Sequence, residues 1–293
     1  MARAAFWGRA RAVGVAILWI ALFVVVGAVV TLALSAAAGV VAGAIAGGRA
    51  PEAWTMAAGS AVAVAGLAVA TWLVGRRLNR RSWAEMGWGE PRRLGVRLGL
   101  GVALGGAMAA VAVGLAVIVG GAALRPDGGA GLAGRAIPLA VGLLAAALAE
   151  ELVFRGYPLR RLADAVGPLI STALLGVGFA VAHLGNPNVT PLGAVNIGIA
   201  AVWLAAAFFS GGGMPLAWGL HFGWNAGLAL GFEAPVSGLT FDLPLLDYTP
   251  GRHAWIDGGA FGPEGGLVGT LVFAAGTAAL LGARGRRPAL DAA

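Results

Sequence analysis

The sequence predicts an all-α fold: a polytopic transmembrane helix bundle of about eight spans with both termini in the cytoplasm. Of 293 residues, 59% are hydrophobic, a further 50 are glycine and only 11% are charged. A soluble domain has ~45–50% apolar residues when glycine is counted. The mean hydropathy of +0.85 points the same way. Apolar stretches close to the ~20 residues that a bilayer requires recur along the chain, and arginine collects on one side of them.

Eight apolar stretches approach or reach the length of a membrane span. They lie at 13–37, 54–75, 95–121, 137–158, 168–185, 193–210, 214–231 and 266–283. The first continues from Val13 past Val40, which is too long for the apolar core of a cleaved signal peptide. We therefore expect it to remain as a span.

Arginine is distributed unequally between the two sides of these spans. One side holds 16 of the 20 arginines, namely Arg3, Arg9, Arg11, Arg76, Arg77, Arg80, Arg81, Arg92, Arg93, Arg97, Arg155, Arg160, Arg161, Arg284, Arg286 and Arg287. The other side holds Arg49, Arg125, Arg135 and Arg252, together with the acidic residues of 232–265. An even number of spans with both termini in the cytoplasm satisfies the positive-inside rule.

The composition excludes several kinds of chemistry. Cysteine and lysine are both absent, so disulfides, thiolate metal ligands, cysteine nucleophiles and lysine Schiff bases are ruled out. The net charge of +7 could suggest nucleic acid. In so apolar a chain it instead indicates cytoplasmic loops, so we expect a lipid bilayer as partner and no nucleic acid.

Five polar side chains fall within or at the ends of the predicted spans. Glu150 and Glu151 lie in the fourth span, His183 ends the fifth, and His221 and Asn225 lie in the seventh. An ionisable group at the centre of a membrane costs ~2.5–3.5 kcal/mol on insertion scales, so its presence there indicates a function. A lone histidine in a membrane span can simply pack and form hydrogen bonds. This alternative is less convincing here, because two histidines and a pair of glutamates lie on three spans of one chain.

Helix geometry allows these groups to meet. The midpoint between Glu150 and His183 falls at 166–167, immediately before a proline. A hairpin that turns there would put the two side chains at the same depth. Asn225 follows His221 by one helical turn and shares its face. The sequence therefore predicts that three helices converge on one polar site.

The two adjacent glutamates are predicted to have different roles. Neighbouring helical positions diverge by ~100°, so Glu150 and Glu151 cannot face the same point. Glu151 precedes Arg155 by four residues, the favoured order for a helical ion pair. Glu150 has no basic residue three or four positions later and is left to face the histidines.

The seventh span also carries a stripe of small residues. Glycine recurs every fourth position, at Gly219, Gly223, Gly227 and Gly231. Such a stripe permits close helix packing. His221 and Asn225 project from the opposite side, so we expect one face to pack and the other to point into a cavity.

Together these residues form three motifs in a fixed order. They are Glu-Glu-x-x-x-Arg at 150–155, Phe-x-x-x-His at 179–183 and His-x-x-x-Asn at 221–225. The set resembles the CAAX protease and bacteriocin-processing family (CPBP, also Abi), the intramembrane endopeptidases that include the Rce1-like prenyl proteases. The resemblance covers about 137–231, a third of the chain.

The resemblance implies hydrolysis of peptide bonds within the membrane. By analogy, Glu150 and His183 activate a water molecule, while His221 and Asn225 stabilise the oxyanion. The supporting residues are Glu151, Arg155 and Phe179; Phe179 either lines the substrate channel or, as we slightly prefer, only packs. The chain then divides into four segments: 1–136, N-terminal spans; 137–231, catalytic helices; 232–265, an acidic extracytoplasmic loop; and 266–293, the last span with a basic cytoplasmic tail.

The residues leave the use of metal open. Glu150, His183 and His221 supply one carboxylate and two imidazoles, enough for a catalytic zinc with an open position. Using all three as ligands would leave no evident general base apart from Glu151. A mechanism without a cofactor gives every group a role and is favoured, with zinc as the alternative.

Two other functional classes stay open. A proton-coupled transporter also keeps glutamate, histidine and asparagine at membrane depth, but it predicts related halves, and the first three spans contain no intramembrane acids. A catalytically idle scaffold or immunity protein is the second. Other intramembrane proteases fit less well, because the chain lacks His-Glu-x-x-His and a pair of aspartates within the spans.

The expected location and substrate follow from the same composition. We expect a multi-pass protein of the cell membrane that acts on a membrane-embedded or lipid-anchored protein or peptide. Eukaryotic relatives process prenylated proteins. The arginine-only, alanine- and glycine-rich composition is typical of a GC-rich bacterial genome and favours a bacterial membrane protein or peptide precursor instead.

Overall fold

The computed structural model describes residues 2–45, 52–127, 131–243 and 245–285. It is almost wholly helical, as predicted. The helices are α1 (Ala2–Ile45), α2 (Glu52–Ala70, continued by a π-helical turn, Thr71–Leu78), α3 (Pro91–Ile118), α4 (Leu132–Phe154), α5 (Tyr157–Val166), α6 (Pro168–Ala182), α7 (Pro191–Ala207), α8 (Gly213–Ala226, continued by a π-helical turn, Gly227–Gly231), α9 (Ala254–Asp257) and α10 (Leu267–Gly285). Two short strands, β1 (Ala123–Pro126) and β2 (Leu246–Thr249), form an antiparallel ribbon that the sequence did not predict.

Five helical stretches in the described part of the chain are long and apolar enough to cross a membrane. They are Trp7–Val40, Trp54–Leu78, Pro91–Ile118, Leu132–Val166 and Pro191–Gly231; two shorter apolar helices are Pro168–Ala182 and Leu267–Ala283. The chain is therefore a membrane protein. The predicted count of eight spans is not confirmed by length and composition. The predicted spans 193–210 and 214–231 fall within one stretch, and those at 168–185 and 266–283 form helices shorter than a full span.

The stretch Pro191–Gly231 is two helices folded back on each other. After α7, Gly211 leaves the helical conformation with a φ of 87°, and α8 begins at Gly213 with a φ of 66°. A straight helix between Trp203 and Trp224 would be ~30 Å long. Their ring centroids are instead 6.2 Å apart. The separate helices predicted at 193–210 and 214–231 are thus present.

The helices pack into two units, the first comprising Met1–Pro91 and Ala133–Thr172 and the second Arg92–Leu132 and Ala173–Ala293. In the first unit, α1 lies against α2 and α5. A buried cluster holds these helices together: Phe23, Ala70, Val74, Met86 and Tyr157.

Glycine and proline set the ends of α4 and α5. The fourth predicted span, 137–158, ends as a helix at Phe154, because Gly156 and Pro158 begin α5 instead of continuing α4. Gly167 ends α5 with a φ of 82°, a conformation that favours glycine, and Pro168 begins α6. The chain does break at the predicted position, 166–167, while the hairpin that would put Glu150 and His183 at one depth stays a prediction.

In the second unit, α7 packs against both α8 and α10. The residues that join α8 to α10 are not a free outer loop. They pair with the segment after α3 through the β1–β2 ribbon, and most of residues 257–266 are buried. Asn196 on α7 anchors them: its amide donates to the backbone oxygens of Glu264 and Gly266 at 2.7 and 2.8 Å.

Contacts within each unit agree with the predicted sidedness of the loops. In the first unit, Arg81 forms a salt bridge of 2.6 Å with Asp164, and Arg160 donates to the backbone oxygen of Glu85. Both partner segments were predicted to be cytoplasmic. In the second unit, the paired strands β1 and β2 belong to segments that were both predicted to be external. Each pair of segments therefore lies on one side of the membrane.

The absolute orientation gives a testable prediction. Reporter fusions after Arg81 and after Arg287 should read as cytoplasmic, and a fusion at Thr249 as external, because arginine-rich segments stay inside. Arg287 lies outside the described residues, so that fusion also tests the C-terminus. An external signal at either basic position would contradict the predicted topology.

Candidate active site

A small cavity in the second unit brings together four of the predicted site residues. Phe179, His183, His221 and Asn225 line it, and the cavity volume is about 20 Å³. A polar cavity of ~10–15 Å³ is enough for one water molecule. The remaining lining residues are Ile197, Ala200, Trp203, Leu204, Trp224, Ser237, Glu264 and Phe273. Two imidazoles and a carboxamide thus border a space of about one water.

His183 is held in one orientation by the end of α6. It is the first residue after the helix, and its Nδ1 lies 2.7 Å from the backbone oxygen of Phe179. A carbonyl oxygen only accepts, so Nδ1 must carry the proton. In neutral His183 the other ring nitrogen, Nε2, then has a lone pair that can accept a proton or a hydrogen bond.

Phe179 contacts both imidazoles. It is buried, and its ring centroid lies 4.4 Å from that of His183 and 6.2 Å from that of His221. The ring therefore packs against both histidines and also lines the cavity. A role in a substrate channel stays a prediction.

Three of the four glycines in the α8 stripe lie against α3, so the predicted close packing of this face is present. A Cβ at Gly219 or Gly223 would collide with the backbone of α3 at Leu98 or Val102, and one at Gly227 would press on Ala109. Gly231 has open space around it. Because this face is packed, the opposite face carries His221 and Asn225 into the cavity, where both are mostly buried.

Lengthening one side chain on this stripe tests the packing. Gly223→Ala should lower the free energy of unfolding by about 1–3 kcal/mol, as overpacked helix contacts do, and should displace His221. Gly231→Ala is the matched control and should melt like the wild type. The measurement is thermal unfolding in detergent; equal melting of both variants would contradict the observed contact.

The first unit contains the two glutamates. Glu151 accepts a hydrogen bond of 3.1 Å from the Nη1 of Arg155, and the exposed fractions of the two side chains are 0% and 2%. The predicted ion pair is confirmed. Glu150, the adjacent carboxylate, is less buried than Glu151. The approach of Glu150 to the histidines stays a prediction.

The second unit lines the cavity with two imidazoles and the carboxylate of Glu264. Catalytic zinc usually has three protein ligands in a suitable arrangement. Among the described residues no group of three His, Asp or Glu side chains is arranged to hold a metal ion. The zinc ligand set that the sequence offered, Glu150, His183 and His221, stays a prediction.

Sequence reasoning missed the polar residues that the segment 232–265 adds to the cavity. Glu264 and Ser237 both line it, although Glu264 had been assigned to the external acidic loop. Glu264 accepts hydrogen bonds from the Trp224 indole and from Ser237. One local signal was available: Glu264 stands alone among Gly262, Pro263, Gly265 and Gly266, directly before an apolar helix.

Comparison with known proteins finds a family model that matches part of the chain. Residues 133–227 match the model described as Type II CAAX prenyl endopeptidase Rce1-like. The match begins near the start of α4 and ends just after α8, so it includes every site residue that the sequence predicted. Ser237 and Glu264 lie outside it. No curated protein and no solved structure matches the chain.

Proposed function

The chain carries a domain of the Rce1-like family at residues 133–227, and from this premise we propose that it is an intramembrane endopeptidase. The family is a protease family. The observation that supports the proposal best is the cavity of about 20 Å³ bordered by His183, His221 and Asn225. A hydrolase needs one water held among groups that activate it and groups that receive the resulting charge.

In the proposed reaction Glu150 is the general base. It takes a proton from water while the water oxygen attacks the carbonyl carbon of the scissile peptide bond, and it later gives that proton to the leaving amine. His183 orients the water through Nε2, since its Nδ1 donates to Phe179. Support for the partnership of Glu150 and His183 comes from the sequence: the helix break at 166–167 lies midway between them.

His221 and Asn225 are proposed to hold the oxyanion. The negative charge develops on the carbonyl oxygen as the tetrahedral intermediate forms, and preorganised donors in a dry site stabilise it strongly. An asparagine amide donates well to such an oxygen and is a poor zinc ligand. The position of Asn225 one turn after His221 gives two donors on one helix face.

The proposed substrate is a membrane-embedded or lipid-anchored protein or peptide of the cell membrane. The proposed site lies on the helices of a membrane protein. The scissile bond of a substrate that is itself associated with the bilayer can reach such a site readily. The composition favours a bacterial membrane protein or peptide precursor rather than a prenylated one.

Cleavage of candidate membrane peptides by the purified protein in liposomes tests the function. A panel of membrane-anchored peptides should yield defined fragments with the wild type, and Glu150→Ala should yield none. His253→Ala is the matched control, because His253 does not line the cavity. If the wild type and Glu150→Ala produce the same fragments, the proposed role of Glu150 is wrong.

Metal dependence is tested by elemental analysis of active protein and by exhaustive chelation. We expect activity to persist without bound metal, because Glu150 can serve as the base. Zinc at one atom per chain, whose removal abolishes cleavage and whose return restores it, would establish the alternative. Glu150, His183 and His221 would then be the ligands, and the ion would lower the pKa of a bound water.

A further inference from the structure

Glu264 is a buried carboxylate in the wall of the cavity and belongs to none of the three motifs. Only 3% of the residue's surface is exposed. Its Oε2 accepts from the backbone N–H and the hydroxyl of Ser237, both at 2.6 Å, and its Oε1 accepts from the indole Nε1 of Trp224 at 2.7 Å. All three donors are neutral. Both carboxylate oxygens therefore accept hydrogen bonds from neutral groups.

One arm of this network reaches the segment that carries His183. The backbone oxygen of Ser237 accepts from the amide of Asn186 at 2.9 Å, and Asn186 follows His183 by three residues. Gly238 then approaches the backbone of Pro187 so closely that a Cβ would collide with it, and its φ of 85° also favours glycine. The turn around Ser237 is therefore fitted directly onto the turn after His183.

The other arm reaches the helix that carries the oxyanion donors. Trp224 lies between His221 and Asn225 in α8, and its ring packs against Phe273 with centroids 4.6 Å apart. Its indole N–H is the α8 donor to Glu264. Glu264 thus connects the end of α6 to α8 through a continuous set of hydrogen bonds.

The loop itself is anchored to the same unit. Asn196 donates to the backbone oxygens of Glu264 and Gly266, and its own oxygen accepts from the Thr270 hydroxyl at 2.6 Å. The Glu264 carboxylate is consequently a fixed point between two elements that each carry a histidine.

We propose that Glu264 is a positioning residue of the site, whose carboxylate sets the distance between His183 and the pair His221 and Asn225. The proposal rests on the proposed function for its catalytic consequence, since the spacing determines where water and carbonyl oxygen are held. Glu264 acts through Ser237 and Trp224. The segment 232–265 is then a part of the active centre.

Glu264→Gln is the most discriminating variant. A glutamine has a single acceptor oxygen, and its NH₂ group has to face at least one of the three donors, so at least one arm of the network breaks. Glu233→Gln is the matched control in the same segment. Glu233 accepts from the backbone N–H of Leu243 and does not line the cavity. Burial, together with Asp247, Asp242 and Asp127, raises the pKa of Glu233, so its neutralisation should be well tolerated.

The readout uses the fact that the chain has only three histidines. Diethyl pyrocarbonate modifies unprotonated imidazoles, and mass spectrometry gives a rate for His183, His221 and the exposed His253. In folded Glu264→Gln the rates at His183 and His221 should rise several-fold relative to His253, because the cavity opens. In Glu233→Gln the three rates should equal those of the wild type.

The same variants are compared in cleavage assays. Glu264→Gln should lower kcat by about tenfold or more and leave KM within about twofold, because hydrogen bonds to a charged group position groups that act in the transition state. If Glu264→Gln does not fold, Ser237→Ala takes its place, since it removes the hydroxyl donor alone and should change the rates in the same direction.

The two hypotheses fail in different ways. Rates at His183 and His221 that match those of Glu233→Gln, in a folded Glu264→Gln or Ser237→Ala protein, would overturn the positioning role. An increase in KM without a change in kcat would also overturn the positioning role. A wild type that cleaves no peptide would contradict the proposed function, while the histidine rates would still decide whether Glu264 sets the geometry.

Discussion

Glu150→Gln is expected to reduce turnover by at least about 10²-fold while leaving the protein folded, because general base catalysis is worth ~10²–10⁴-fold. Glutamine keeps the shape of the side chain and the hydrogen-bonding oxygen, but it cannot take the proton from water. The measurement is single-turnover cleavage in liposomes, with thermal unfolding as the check on folding.

Glu151→Gln is the control for this experiment, since it makes the same chemical change at the adjacent position. It should lower stability and leave the chemistry of the remaining folded protein largely intact. If Glu151→Gln were the stable and inactive variant and Glu150→Gln were active, the roles assigned to the two glutamates would be wrong.

Arg155→Met is expected to destabilise the first unit by about 3–5 kcal/mol, the usual cost of removing one partner from a buried ion pair. The fully buried carboxylate of Glu151 would then lose the guanidinium that donates to it. Thermal unfolding in detergent or a chemical-denaturant series in mixed micelles would measure the loss.

The double variant Glu151→Leu with Arg155→Met is the decisive comparison. It removes both charges, and replacing a whole buried pair by apolar residues is often neutral or stabilising. We therefore expect it to recover most of the stability that Arg155→Met loses. A double variant less stable than Arg155→Met would show that the pair has further partners that the pairwise description omits.

Local patterns in the sequence were sufficient for several features. The pair of Glu151 and Arg155 followed from their spacing of four residues, and the break at 166–167 from adjacent glycine and proline. The packing of α8 followed from a glycine at every fourth position. Each depends on residues close together in the chain, so periodicity and turn chemistry were informative.

Features that depend on distant residues could not be found in this way. The hydrogen bonds of Glu264 join it to residues 27 and 40 positions earlier, and its own neighbours are glycine and proline without a helical or strand period. The β1–β2 ribbon pairs Leu124 with Tyr248, which lies 124 positions later in the chain. Such contacts depend on how the helices pack against one another. A single sequence contains no local pattern that predicts this packing.

One of the differences in span number, the short helix α6, has a local origin. His183 and the turn after it stop α6 at Ala182, leaving 15 residues, fewer than the ~20 that a full span requires. Hydropathy continued to Gly185 and so predicted a longer element. The interruption that shortens the helix is the one that places His183 at the cavity.

The hydrogen bonds of Asn196 have a consequence for biogenesis. The described hydrogen bonds of the Asn196 side chain are made with residues that lie 68, 70 and 74 positions further along the chain. These partners leave the ribosome after α7 and α8, because they lie further along the chain. The hydrogen bonds of Asn196 that anchor Glu264 in the cavity wall can form only after the segment up to Thr270 has emerged. The nascent chain thus inserts its earlier helices before the site is complete, and any product that terminates ahead of Glu264 lacks this wall.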